Sequence, residues 1–211
     1  MHTNSPLVLT VRTLMSVVDG SDSSTRGRSL RISRYAMKVT RDMGVPESEW
    51  ETIELGALLH DLGRNAVLND VVLQPRHLDY GEQALMRTHA TIGWELLKDI
   101  PGLDRAAEIV HAHHERPDGK GYPRRLKDQE IPLGAKIVMV CAAFDAMTED
   151  RPYRVGLSPP IAIKEMEGES GAQFSPEVVH AFVRAYHDGS LWDDFTHEER
   201  ELYVRKGLAA A

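Results

Sequence analysis

Apolar residues recur at three- and four-residue spacing along nearly the whole chain, and no alternation of period two lasts beyond a few residues. That pattern predicts an all-α fold. Leu7 to Val18 form a first helix, ended by Asp19-Gly20 and the polar stretch Ser21 to Ser24. Thr25 or Ser29 opens a second, which carries Leu30, Ile32, Tyr35, Ala36 and Val39 and closes at Gly44. Pro46-Glu47 start a third, with Trp50, Ile53, Ala57 and Leu58 at helical spacing, ending at Leu62-Gly63. Asp79 followed by Glu82 matches a capping box, and the helix behind it aligns Leu85, His89, Ile92 and Leu96 on one stripe. From about Asp104 a further helix puts Ala106, Ile109, Val110, His113 and His114 on one face. Pro132 stands where a first helical residue belongs, and the run Ile137 to Met147 is apolar almost all round, as in a buried helix. Ser175-Pro176-Glu177 opens another helix to Tyr186, and the charged tail from Asp193 to Ala211 is expected to be a short surface helix.

The 211 residues suffice for one core, and residues 1–211 are expected to form a single domain. With 42% hydrophobic and 27% charged residues, the chain has the balance of a soluble globular protein. No apolar run approaches the ~20 residues of a membrane span. A basic leader and cleavage site are missing, so no secretory signal is expected. Cys141, the single cysteine, cannot form an internal disulfide and fits a cytoplasmic location. A net charge of −7 argues against nucleic acid as the main partner, although local arginines can still bind an anionic ligand.

The candidate chemistry lies in the histidines. His60-Asp61 stand at one helix end, His89 lies on an apolar stripe, and His113-His114 are adjacent on an inward face. Imidazole with carboxylate suits Fe, Mn, Zn or Ni. His111 falls on the opposite face from His113 and His114, so surface placement or a supporting role is expected. Glu115-Arg116-Pro117-Asp118-Gly119-Lys120-Gly121-Tyr122-Pro123 follow directly, and two glycines bracketing a lysine indicate a tight, structured loop.

These segments resemble the HD-GYP family: Leu59-His60-Asp61-Leu62-Gly63, His113-His114-Glu115 with Asp118-Gly119-Lys120-Gly121-Tyr122-Pro123, Phe144-Asp145-Ala146-Met147-Thr148, and Asp150-Arg151-Pro152-Tyr153-Arg154. The match runs over about residues 22–182, leaving a C-terminal tail, 193–211. The resemblance implies a helical bundle of the HD-domain type that binds two or three metals, often iron or manganese, and hydrolyses cyclic di-GMP to pGpG or GMP. Metals suit that reaction because they neutralise an anionic phosphodiester and activate water. By the same resemblance His60, Asp61, His89, His113 and His114 are metal ligands, Asp61 bridging two ions. Asp61, Arg64 and Asp145 take catalytic positions. Tyr122, Lys120, Arg151 and Arg154 meet the ligand, the arginines at its phosphates.

The chain departs from the family at three places. Arg28 stands where the family has a histidine ligand of the first metal, and Ala142 replaces an aspartate ligand three residues before Asp145. Arg64 replaces a lysine. A histidine, an aspartate and a divalent ion sum to about +1, as do Arg28 and Ala142, and the small alanine leaves room for a larger side chain. Arg28 is therefore expected to occupy the vacated metal position, paired with Asp61 or Asp145. The other corner keeps one carboxylate and three imidazoles, enough for one divalent transition metal, Fe or Mn before Zn or Ni.

Three readings follow. The first is a signalling module that binds cyclic di-GMP or a protein partner with hydrolysis reduced or lost. The second is a working phosphodiesterase that uses one metal or takes a related phosphorylated small molecule. The third is a metal-free interaction domain, which the intact histidines and loop oppose. No sensor or receiver segment is expected in the chain, so input is expected to come from a signalling partner or the ligand, and a homodimer is compatible with the sequence.

Overall fold

The computed structural model describes residues 5–20, 27–67, 79–150 and 155–196. Among them the chain is helical, with one isolated bridge between Ser170 and Phe174 and no strand. Ten α-helices follow in order: α1 Pro6–Gly20, α2 Arg28–Asp42, α3 Glu47–Leu59, α4 Arg64–Val67, α5 Tyr80–Arg87, α6 His89–Leu97, α7 Asp104–Ala112, α8 Leu133–Thr148, α9 Pro159–Gly168 and α10 Pro176–His187. Among the described residues no helix is long and apolar enough to cross a membrane.

Two apolar clusters hold the bundle. In the larger, α2, α8 and α10 meet through Ile32, Tyr35, Val138, Phe144 and Phe182, and the rings of Trp192 and Phe195 close over Tyr35. In the smaller, Val8, Val11 and Met15 of α1 cover Leu55, Leu58 and Leu59 of α3 and Ala106 and Val110 of α7. The second half of α3 is buried on every side, Glu54 included, and Arg12 of α1 meets that carboxylate with an ion pair. Packing rather than propensity fixes such a helix, since it makes tertiary contacts on every face.

Several expectations correspond to the structure, and several need correction. The capping box is present: Glu82 N–H bonds Asp79 Oδ1 (2.9 Å) and Asp79 N–H bonds Glu82 Oε2 (2.8 Å). The long helix expected behind it is two, divided at Thr88, whose hydroxyl bonds the Leu85 carbonyl at 2.6 Å. The inward stripe is also different. Leu85 and Leu96 are about half exposed, and the buried positions of α6 are His89, Ala90, Gly93 and Leu97. His89 is thus buried beside small residues, not in a leucine stripe. Helix α9 was not expected at all; Pro159-Pro160 start it, and it buries Pro159, Ala162, Ile163 and Met166. Pro132 is the cap of α8 and Leu133 its first residue. At the tail, Trp192 and Phe195 are buried, while the surface helix expected beyond them lies outside the described residues, as does Thr25.

Candidate metal and ligand site

A cavity of about 300 Å³ opens where the ends of α2, α3, α6 and α7 converge on the middle of α8. Arg28, the first residue of α2, lines it with His60, Asp61 and Arg64 from the turn after α3. His89 comes from the start of α6, His113 and His114 from the end of α7, and Ala142, Ala143 and Ala146 from α8. Tyr122, Gln173, Met86 and Met139 complete the wall.

Backbone carbonyls orient the imidazoles. Nδ1 of His60, His89 and His113 lies 2.8, 2.7 and 2.6 Å from the carbonyls of Ala57, Met86 and Val110, in each case three residues back. A carbonyl only accepts, so each Nδ1 carries the proton and each Nε2 presents a lone pair to the cavity. His89 Nε2 and His113 Nε2 then face each other at 3.3 Å with no hydrogen between them. Two lone pairs at that distance repel unless a cation shares them, and the spacing suits two imidazoles on one ion at the usual ~2.1 Å. Asp61, His89, His113 and His114 place one donor atom each within 4.8 Å of one another. His60 Nε2 is buried without a hydrogen-bond partner, 3.4 Å from Asp61 Oδ2. The donor set therefore fits a transition metal, with the carbonyls of Ala57, Met86 and Val110 already fixing the tautomers.

The electrostatics suit the same use. Burial opposes ionisation of Asp61, but Arg64, His60 and Arg28 outweigh it and hold the carboxyl well below its usual range. Burial, then His89, pushes His114 down to about 3; burial also lowers His89, and lowers His113 further. His89, His113 and His114 are therefore neutral at pH 7, as ligation requires.

The cationic side of the site is built from three arginines. Arg64 Nη1 donates to Asp61 Oδ2 at 2.8 Å. Asp145, buried at 3% exposure, is gripped by Arg31, Nε to Oδ1 at 2.8 Å and Nη2 to Oδ2 at 3.3 Å. Arg28 Nε lies 3.7 Å from Asp61 Oδ2 and 3.9 Å from Asp145 Oδ2, directed inward between both carboxylates. Arg31 was missed from sequence because it sits one turn beyond Arg28 with no motif of its own.

The loop after α7 is set by Glu115, also missed. Its buried carboxylate accepts Arg124 N–H at 2.7 Å and Leu126 N–H at 2.9 Å. A Cβ on Gly121 would stand 2.4 Å from Arg116 N, so only glycine fits there. The loop lays the Tyr122 ring on His114, centroids 4.7 Å apart and nearly parallel, with Arg87 also over that ring. Gln173, from the turn before α10, has its carbonyl oxygen tied to Arg116 at 3.3 Å. Lys120 is not brought into the cavity: its side chain is 79% exposed, with Nζ 4.0 Å from Asp118. His111 is not at the surface but buried and stacked on Trp94, 4.8 Å between centroids, away from the ligand cluster. Arg151 and Arg154 lie outside the described residues.

Comparison with known proteins identifies the family. The family model described as "HD domain" matches residues 12–178. A cyclic di-GMP phosphodiesterase of Thermotoga maritima is 37% identical over 182 residues, covering 85% of this chain and 49% of the relative. The cyclic di-GMP phosphodiesterase response regulator RpfG of Xanthomonas campestris is 36% identical over 177 residues, covering 83% and 47%. The chain thus spans about half the length of these relatives. In fold it is similar to a cyclic GMP-AMP specific phosphodiesterase of Vibrio cholerae, with a TM-score of 0.72 at 19% identity over 97% of this chain and 54% of the other. The helical bundle, the His-Asp cluster on its inner ends and these matches together place the chain in the HD domain family, as a member of its HD-GYP group.

Proposed function

We propose that the chain is an HD-GYP signalling domain that binds a cyclic dinucleotide and one divalent transition metal, with phosphodiester hydrolysis reduced or lost. The observation that carries this reading is the position of Arg28, an inward guanidinium between Asp61 and Asp145 where a metal-binding relative would have an imidazole. Asp61, His89, His113 and His114 would hold the metal, iron or manganese before zinc or nickel. Such an ion supplies neutralisation of phosphate charge and activation of water. Arg64 keeps Asp61 ionised and aimed into the cavity, and Tyr122 offers its ring edge and hydroxyl beside the ligand. Arg151 and Arg154 would add phosphate contacts. Asp145 is committed to Arg31 and contributes structure rather than ligation. The names of the relatives indicate cyclic di-GMP first and 3′3′-cGAMP second as ligands.

A second reading, an active phosphodiesterase yielding pGpG or GMP, is favoured by one observation. His60 Nε2 remains buried and unpartnered beside Asp61, still available to a second ion. Metal analysis and turnover distinguish the two. The full chain, loaded anaerobically with Mn or Fe, is expected to retain about one ion, bind cyclic di-GMP, and cleave it far more slowly than a two-metal relative assayed alongside. Two retained ions with cleavage at the relative's rate would establish the second reading instead.

A further inference from the structure

The hydrogen bonds around the three arginines leave one of them over. Asp61 Oδ2 accepts from Arg64, and both oxygens of Asp145 accept from Arg31, which also meets Glu149 at 3.4 Å. Arg28 stands among these groups with ion-pair separations of 3.7 and 3.9 Å, too long for hydrogen bonds. Among the described residues its guanidinium makes none, and its Nε is fully buried without a partner. A buried guanidinium with unused donors is costly, because each lost hydrogen bond to water goes unreplaced. The same guanidinium lines the cavity together with Ala142, Ala143 and Ala146, which contribute no acceptor side chain. The geometry therefore offers a planar set of N–H donors and a positive charge to whatever enters, and protein groups do not use them up.

We infer that Arg28 is a phosphate-binding residue, which lets the pocket hold a ligand phosphate without any metal. The inference rests on the proposed cyclic-dinucleotide reading for the ligand's identity, but its chemistry requires only a phosphate oxyanion. A guanidinium fork matches two oxygens of one phosphate, and its partial burial strengthens the contact. Binding at this corner differs from metal-dependent binding in one testable respect: it survives chelation. An arginine that merely filled space would give no such behaviour.

The test uses the full chain stripped with EDTA, with calorimetric titration of cyclic di-GMP and thermal unfolding in the presence of pyrophosphate. Arg28→Gln removes the charge at similar length, and Arg28→Lys keeps the charge but loses the fork. Wild type is expected to bind cyclic di-GMP in EDTA, Arg28→Gln to bind at least about tenfold more weakly, and Arg28→Lys to fall between. Pyrophosphate should raise the unfolding temperature of wild type and not of Arg28→Gln. Equal cyclic di-GMP affinity in wild type and a folded Arg28→Gln overturns the inference. So does the absence of any pyrophosphate effect on wild type. Pyrophosphate stabilisation that depends on Arg28, without cyclic di-GMP binding under any condition, supports the inference while removing the proposed ligand. If Arg28→Gln does not fold, Arg28→Lys decides: undiminished affinity in EDTA with lysine rejects fork recognition.

Discussion

Gly63 packs its backbone directly onto His89: a Cβ at Gly63 would stand 2.1 Å from the His89 carbonyl oxygen and 2.6 Å from Gly93 N. The turn that presents His60 and Asp61 is therefore seated on the first turn of the helix that presents His89. Two ligand-bearing elements are fixed to each other by one missing methyl group. Gly63→Ala must push them apart, since both obstructing atoms are backbone. The expected result is a loss of about 1–3 kcal/mol in denaturant unfolding together with reduced Mn uptake by the protein that still folds. Unchanged metal binding with only a stability loss would show that the turn can shift without moving the ligands.

Glu115 performs the corresponding task for the Tyr122 loop. Its carboxylate satisfies two backbone N–H groups, of Arg124 and Leu126, from a buried position. Glu115→Ala leaves those donors without their acceptor and should cost about 2–3 kcal/mol in equilibrium unfolding. Because the loop carries the ring stacked on His114, ligand affinity should fall as well, measured by titration at a temperature where the variant is folded.

Arg31 and Asp145 are coupled more tightly than either residue's sequence position suggests. With Asp145 at 3% exposure, Arg31→Met strands a buried carboxylate whose next cation is Arg28, 3.9 Å away. A loss of about 3–5 kcal/mol is expected, mostly recovered in Arg31→Met with Asp145→Asn. Urea unfolding of the two single variants and the double variant measures the coupling. Additive losses would mean the pair is not a unit.

The sequence made the candidate ligands legible because motif spacing and inward placement coincide at His60, Asp61, His89, His113 and His114. Arg28 could be found too, since a charge count at two altered positions balanced. Arg31 and Glu115 could not. Each matters through a partner far along the chain or across a loop, Asp145 being 114 positions from Arg31, and periodicity carries no information about such pairs. The stripe assigned to α5 and α6 failed for another reason. Leucines at helical spacing mark a buried face only when a neighbour covers them, and here the small residues Ala90 and Gly93 take the covered side so that α6 can approach α7.

Acid should destabilise the metal-free protein through its neutral imidazoles. His114 has an ordinary value of 6.5 and a folded value of about 3, so between those limits the unfolded chain takes up protons that the folded chain refuses. Stability is then fully present above pH 6.5 and falls as pH drops toward 3, by about 1.4 kcal/mol per pH unit for each such group. His113 and His89 are lowered also and add in the same direction. Urea unfolding in EDTA at a series of pH values should show this slope, and His114→Gln should flatten it. A profile that is flat from pH 7 to 5 would mean that water reaches these rings in solution.

Restoring the ligands tests the proposal that hydrolysis is reduced. Arg28→His removes the cation between Asp61 and Asp145, and Ala142→Asp adds a carboxylate on the cavity wall that Ala142 already lines. Either change alone is incomplete. Histidine without the new aspartate still leaves the first ion few protein ligands, and aspartate without removal of Arg28 gives that arginine a new partner instead of a metal. The double variant should therefore take up a second Mn or Fe ion where each single variant retains one, and cyclic di-GMP cleavage should rise only in the double variant. The gain should be non-additive, as expected when two residues complete one coordination shell. A second bound ion without faster cleavage would place the defect elsewhere, in the region of Arg151 and Arg154 or in the exposed Lys120, and would separate metal occupancy from catalysis in this chain.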